Sequence, residues 1–135
     1  MLKIYLASIY ERRSELIAYA EELKTYGYTI SSSWLYSNEE VGDGGIDKNT
    51  PLAVSKKWAI IDFEDVLSSD CVISFTEPFG TLTPRGGRHV EFGMAYATDK
   101  DCIIVGENEN LFHYLPGIIK YNTWKELIEN INKFR

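Results

Sequence analysis

Short apolar runs alternate with amphipathic stretches along this chain, the pattern expected of a parallel sheet covered by helices. Leu2–Ala7 holds few polar residues and predicts a first strand. Glu11–Thr25 sets Leu16, Ile17, Ala20 and Leu23 at helical spacing, and Gly27 just beyond supplies a stop. Tyr28–Ser33 reads as a second strand, Pro51–Ser69 as a helix and Cys71–Phe75 as a third strand. His89–Thr98 reads as a short helix, Cys102–Val105 as a fourth strand and Gly117–Tyr121 as a fifth. Thr123 and Glu126 have capping-box spacing and open a last helix running to Phe134. Two stretches break the pattern. Residues 36–52 are polar, glycine-rich and aperiodic, and so long a loop is either a lid or binding segment or a plain surface connection. Thr76–Gly87 carries two prolines and three glycines.

About five strands interleaved with helices predict a single α/β domain over residues 1–135. Its expected form is an open, doubly wound, three-layer sheet of the flavodoxin-like type. Such sheets bind ligands in the crevice outside the carboxyl ends of their strands. The segments that should line it are Ala7–Tyr10, Ser31–Tyr36, Thr76–Gly87 and Gly106–His113.

Composition narrows the function. At 44% hydrophobic and 25% charged the chain is an ordinary globular one, with nine tyrosines and three tryptophans as its excess. Fourteen basic residues against twenty acidic ones leave a net charge of −6. That argues against a nucleic-acid polymer as partner, which needs a basic footprint, but not against a small anion held by one local positive site. No run approaches the ~20 apolar residues of a membrane span. The opening residues become charged too early for a secretory signal, so the expected compartment is the cytoplasm. Cys71 and Cys102 sit in apolar runs as buried small hydrophobes, and with His89 and His113 they show no metal-ligand spacing.

Two carboxylates stand in unlike settings. On the helix Pro51–Ser69, Trp58, Ala59, Phe63, Val66 and Leu67 mark the expected buried arc, and Asp62 falls within it. A carboxylate among apolar groups should have a raised pKa, suited to proton transfer near neutral pH. The plainer alternative is an Asp hydrogen-bonded to a neighbouring loop. Glu91 follows the loop Thr83–Arg88 and is expected in the first turn of the next helix, where unpaired N–H groups and the dipole favour an ionised acid. Acids in first helical turns are common simply for stability. Taken together, one raised and one ionised carboxyl form the division of labour used in glycosidic bond cleavage. A retaining mechanism sets the two roughly 5–5.5 Å apart. Gly86 and Gly87 before a helix, flanked by Arg85 and Arg88, also suit an anion. The loop is neither a Walker P-loop nor a dinucleotide fingerprint.

These residues resemble a known family. Lys3–Ser8, Asp62 ahead of Ser69–Ile73, and Gly86-Gly87-Arg88-His89-Val90-Glu91-Phe92-Gly93-Met94-Ala95-Tyr96-Ala97 are similar to the nucleoside 2-deoxyribosyltransferase superfamily, over about residues 1–105. The resemblance implies a flavodoxin-like fold, cleavage of the N-glycosidic bond of 2′-deoxynucleosides or deoxynucleotides, no metal or organic cofactor, and a homo-oligomer. It implies Glu91 as the nucleophile forming a deoxyribosyl-enzyme, Asp62 as the acid that protonates the departing base, and Tyr5 as the residue that positions the nucleophile. Substrate contacts are implied at Ala7, Trp34, Arg85, Gly86, Gly87, Arg88 and His89, with the Trp34 indole either stacked on the base or part of the core. The expected reaction passes the sugar to a second nucleobase. In the related 2′-deoxynucleoside 5′-monophosphate N-hydrolases the acceptor is water. Arg85 stands where the transferases usually carry an aspartate, six residues before the nucleophile, which suggests a substrate bearing a 5′-phosphate. From another class altogether, the domain could bind a nucleotide without turnover.

Overall fold

The computed structural model describes residues 2–37, 48–83 and 85–133. Most of the long polar loop predicted over 36–52 lies outside these residues.

Five parallel strands form one sheet. They are β1 (Lys3–Ala7), β2 (Thr29–Ile30), β3 (Cys71–Phe75), β4 (Asp101–Val105) and β5 (Ile119–Tyr121). Their spatial order is β2-β1-β3-β4-β5, with Tyr5 beside Val72 and Ile73 beside Ile103 in the register. The chain runs outward from β1 to β2, then crosses back over β1 to continue through β3, β4 and β5. That reversal puts the topological switch point between β1 and β3. The flavodoxin-like three-layer α/β/α fold is therefore present.

Among the described residues four helices cover the sheet: α1 (Arg13–Thr25), α2 (Leu52–Ser68), α3 (Gly87–Ala97) and α4 (Trp124–Glu129). Helices α2 and α3 pack side by side over β1, β3 and β4. On α1, Tyr19 stacks on Trp124 of α4 at 4.3 Å between ring centroids, and the Trp124 indole N–H donates to Glu22. The core is the inner strands themselves: Ile4, Leu6, Val72, Ile73, Ile103 and Ile104 are fully buried. Near-continuous apolar strands of this kind are what a sheet covered on both faces requires.

Several predicted boundaries shift for local reasons. The second strand shrinks to Thr29–Ile30, because beyond it side chains take over the edge of β1. Ser32 Oγ accepts from the Leu6 N–H at 3.1 Å, and the Trp34 indole donates to the Leu6 carbonyl at 2.9 Å. Both ladder groups of Leu6 are thus satisfied without a strand neighbour. The first helix opens as a 3-10 turn over Tyr10–Arg12. The last helix ends at Glu129 and continues as a 3-10 turn over Ile131–Lys133. Its expected cap is present, with Thr123 Oγ1 accepting from the Glu126 N–H, while Glu126 reaches back to the N–H of Asn122 rather than of Thr123. Helix α2 is rotated from the predicted arc. Trp58 and Val66 are buried, but Ala59, Phe63 and Leu67 face outward; the inward positions alternate with Ile61, Asp62 and Asp65. Both cysteines are buried and free, and burial pushes their thiols up, Cys102 to about 12.

Gly106, directly after β4, sits at φ +120° with its N–H bonded to the Tyr121 carbonyl. A Cβ there would stand 2.4 Å from Thr76 Oγ1. We expect Gly106→Ala to lower unfolding free energy by about 2–4 kcal/mol, from left-handed strain plus overpacking. Urea denaturation of the two proteins measures this; equal midpoints would show that Thr76 yields freely.

Candidate active site

Alternation along β1 turns Tyr5 to the face covered by α2 and α3, opposite to Ile4 and Leu6. Tyr5 is fully buried, and its hydroxyl donates to Glu91 Oε2 of α3 at 2.5 Å. Burial raises the Tyr5 phenol well above the ordinary range, followed by the charges of Glu91 and then Asp62. The phenol therefore stays protonated, a permanent donor to the carboxylate. The charges of both acids singled out from the sequence raise this one phenol, and Glu91 is the one bonded to it.

The backbone before Glu91 differs from expectation. Arg85 (φ +73°) and Gly86 (φ +88°) are both left-handed, and α3 begins at Gly87 rather than near His89. Glu91 is consequently in the second turn, beyond the unpaired N–H groups of the helix start. The first-turn setting expected for it is therefore absent. What it has instead is near-complete burial, at 6% exposure, against a phenol that donates to it.

Asp62 lies on the inward side of α2, half-buried. Its Oδ1 is buried with no hydrogen-bond partner among the described residues. Burial first, and then the neighbouring charge of Asp65, push its carboxyl up to about 7. Asp65, one turn further on, accepts from the Ser33 N–H at 2.9 Å. The loop-bonded aspartate of α2 is thus Asp65, while Asp62 keeps one buried oxygen unpartnered among the described residues.

The other predicted contacts divide. Ala7 is fully buried at the end of β1. Trp34 belongs to the core, at 3% exposure, with its N–H spent on the Leu6 carbonyl and Tyr10 tilted against it at 6.4 Å. Its indole face is not open for stacking on a base; Tyr10, half-buried, is the ring beside it. Arg85 is exposed at the turn, and Gly86 and Gly87 are half-buried. Arg88 departs most from expectation. Its guanidinium is 0% exposed and grips Glu109 at two points, Nη1 to Oε2 at 2.6 Å and Nη2 to Oε1 at 2.9 Å. Nη2 also donates to Thr83 Oγ1. Arg88 faces inward to a carboxylate, so it does not present charge to a ligand's phosphate in this structure. His89, half-buried, faces a cavity of about 350 Å³ with Gly93 and Tyr96, on the side of α3 away from Glu91. Burial, followed by the charge of Arg88, lowers its pKa.

Sequence reasoning missed the Arg88–Glu109 pair. Its members are separated by 21 residues, and one sits in an irregular loop, so no periodicity joins them. A polar hollow of about 410 Å³ opens at the ends of β3 and β4, where Thr76, Glu77 and Gly106 come from segments expected to line the crevice and Arg12 and Trp124 from outside them. Among the described residues, no helix is long and apolar enough to cross a membrane.

No family model and no curated protein sequence matches the chain. Solved structures do. A Clostridium botulinum CMP N-glycosidase, BcmB, superposes with a TM-score of 0.57 at 22% identity, covering 98% of this chain and 99% of that one. A conserved protein from Enterococcus faecalis V583 gives 0.54 at 19% identity, over 99% of this chain and 76% of its own. The fold is shared with both.

The raised Asp62 carboxyl has a stability consequence. Between its ordinary value near 3.8 and about 7, the folded protein holds a proton that the unfolded chain releases. Stability from this group is therefore largest at low pH and falls as pH rises through that window. Asp62→Asn should be more stable than the parent at pH 8, by about 2–4 kcal/mol, and equal to it below pH ~4. Urea midpoints compared across pH test this; a constant difference would place Asp62 in a solvated setting.

Proposed function

We propose that this protein is an N-glycosidase that releases the base from a nucleoside 5′-monophosphate, through a glycosyl ester on Glu91. The observation that carries the reading is the buried Tyr5–Glu91 hydrogen bond with the proton-holding Asp62, one oxygen of it unpartnered among the described residues, acting on the same phenol. Likeness to a structure described as a CMP N-glycosidase supports it.

Tyr5 holds Glu91 Oε2 and so fixes the plane of the carboxylate. A Glu91 oxygen attacks C1′ as the bond from C1′ to the base nitrogen breaks; the electron pair leaves with the base, which takes the Asp62 proton. The Asp62 carboxylate then takes a proton from water as its oxygen bonds to C1′, and Glu91 departs as carboxylate. One group alternates between acid and base, as retaining glycoside chemistry requires. Arg85 and the amides of Gly86 and Gly87 are the groups assigned to the 5′-phosphate, Arg88 being committed to Glu109. A second nucleobase in place of water would make the same intermediate a transferase's.

The test is release of free base from CMP, dCMP and the other ribo- and deoxyribonucleoside monophosphates, alongside free nucleosides, with and without an added acceptor base. Base should appear from monophosphates without acceptor, and Glu91→Ala should hold less than about a thousandth of the rate. Product only when an acceptor base is present means a transferase. Tight binding without any release means a binding module.

Because Asp62 must be protonated to act on the base, kcat/KM should fall on the alkaline side with an apparent pKa near 7. Asp65→Asn removes a negative neighbour and should move that limb to lower pH. A limb that stays in place would assign it to another group.

A further inference from the structure

We propose that Arg88 is a positioning residue for Glu91, setting through its buried pair with Glu109 the tilt of α3 at which Glu91 meets Tyr5. The inference rests on the reading of Glu91 as nucleophile and extends it to a residue that touches no reacting atom.

The geometry is a chain of fixed points. Gly86, at the start of α3, has no side chain with which to cap the helix, and the residue before it is also left-handed. Arg88, in the first turn, supplies the anchor that a cap would give. Its fork spans both oxygens of Glu109 and reaches Thr83 on the preceding loop. Glu109 is held in turn. Its carboxylate accepts from the Glu77 N–H at 2.9 Å, directly after β3, and its own N–H donates to His113 Nδ1 at 2.9 Å. One carboxylate thus ties the first turn of α3 to the chain leaving β3 and the chain leaving β4. Glu91 follows Arg88 by three residues, ~4.5 Å along the helix axis, so any shift of the first turn is carried to its carboxylate.

A stability role alone explains the pair poorly. Buried ion pairs are often matched or exceeded by apolar residues of similar size, because desolvation offsets the attraction. What an apolar pair lacks is direction: two parallel N–H···O bonds fix an orientation, and methionines do not. Misplacement of a reacting group by ~1 Å costs on the order of a hundredfold in rate.

The experiment uses the double variant Arg88→Met/Glu109→Met and the single variant Arg88→Lys, which keeps the charge but loses the fork. Three readings are taken on each: urea stability, kcat and KM for base release, and the ¹H NMR resonance of the Tyr5 hydroxyl proton, identified by its loss in Tyr5→Phe. The double variant should keep near-parental stability, a KM within ~3-fold and a kcat lowered ~10- to 100-fold, with the Tyr5 resonance shifted. Arg88→Lys should fall between. A folded double variant with parental kcat and an unmoved resonance overturns the proposal, as does a raised KM at parental kcat, which would make Arg88 a substrate contact. If the double variant does not fold, Arg88→Lys decides by the same criteria. If the parent protein releases no base, the proposed function fails by itself; the resonance then still decides the positioning role, shifted in support and unmoved against.

Discussion

A carboxylate held almost without solvent beside a phenol is the constraint around which this molecule is arranged. Glu91 and Tyr5 come from elements 86 residues apart, and a hydrogen bond between them exists only if β1 is central, α3 crosses above it, and both register correctly. In a low-dielectric setting that bond is strong, and an unpaired carboxylate in the same place would be costly. Correct topology and correct site are therefore one requirement. The placement of Asp62 follows from the same layer: α2 lies against α3, and its inward side at position 62 meets the space above β1.

Much of this was legible in the chain. Apolar runs with almost no polar interruption announced buried strands, and helical spacing announced the helices between them. Asp62 was legible because it falls among apolar positions, and Glu91 because the residues around it carry the family resemblance. The details that escaped are those set by tertiary contact. Phe63 and Leu67 are apolar yet outward, so hydrophobicity alone rotated the arc of α2. The start of α3 was displaced by two residues because Gly86 adopts a left-handed conformation, which no periodicity encodes. The resemblance implies ligand contacts at Trp34 and Arg88, with Trp34 equally open to a place in the core; the indole completes the edge of β1 and Arg88 meets Glu109.

The arginines show how position overrides composition. Arg85, Arg88 and Arg12 all lie near the carboxyl ends of the strands. Arg12 is committed to Glu15 and Glu77, and Arg88 to Glu109. Charge near the crevice is largely neutralised in place, in keeping with a chain of net charge −6. Arg85, at the turn before α3, is exposed.

The outermost strands are stubs: two residues on one flank of the sheet and three on the other, against five in each of the inner three. On the β2 flank, an indole and a serine hydroxyl consume the exposed peptide groups of Leu6. A foreign chain seeking to add itself beyond β2 finds those groups of Leu6 taken, and short margins give a ladder little to nucleate on. Resistance to fibril growth is thus built into where the margins stop, and lengthening either margin by design would surrender it.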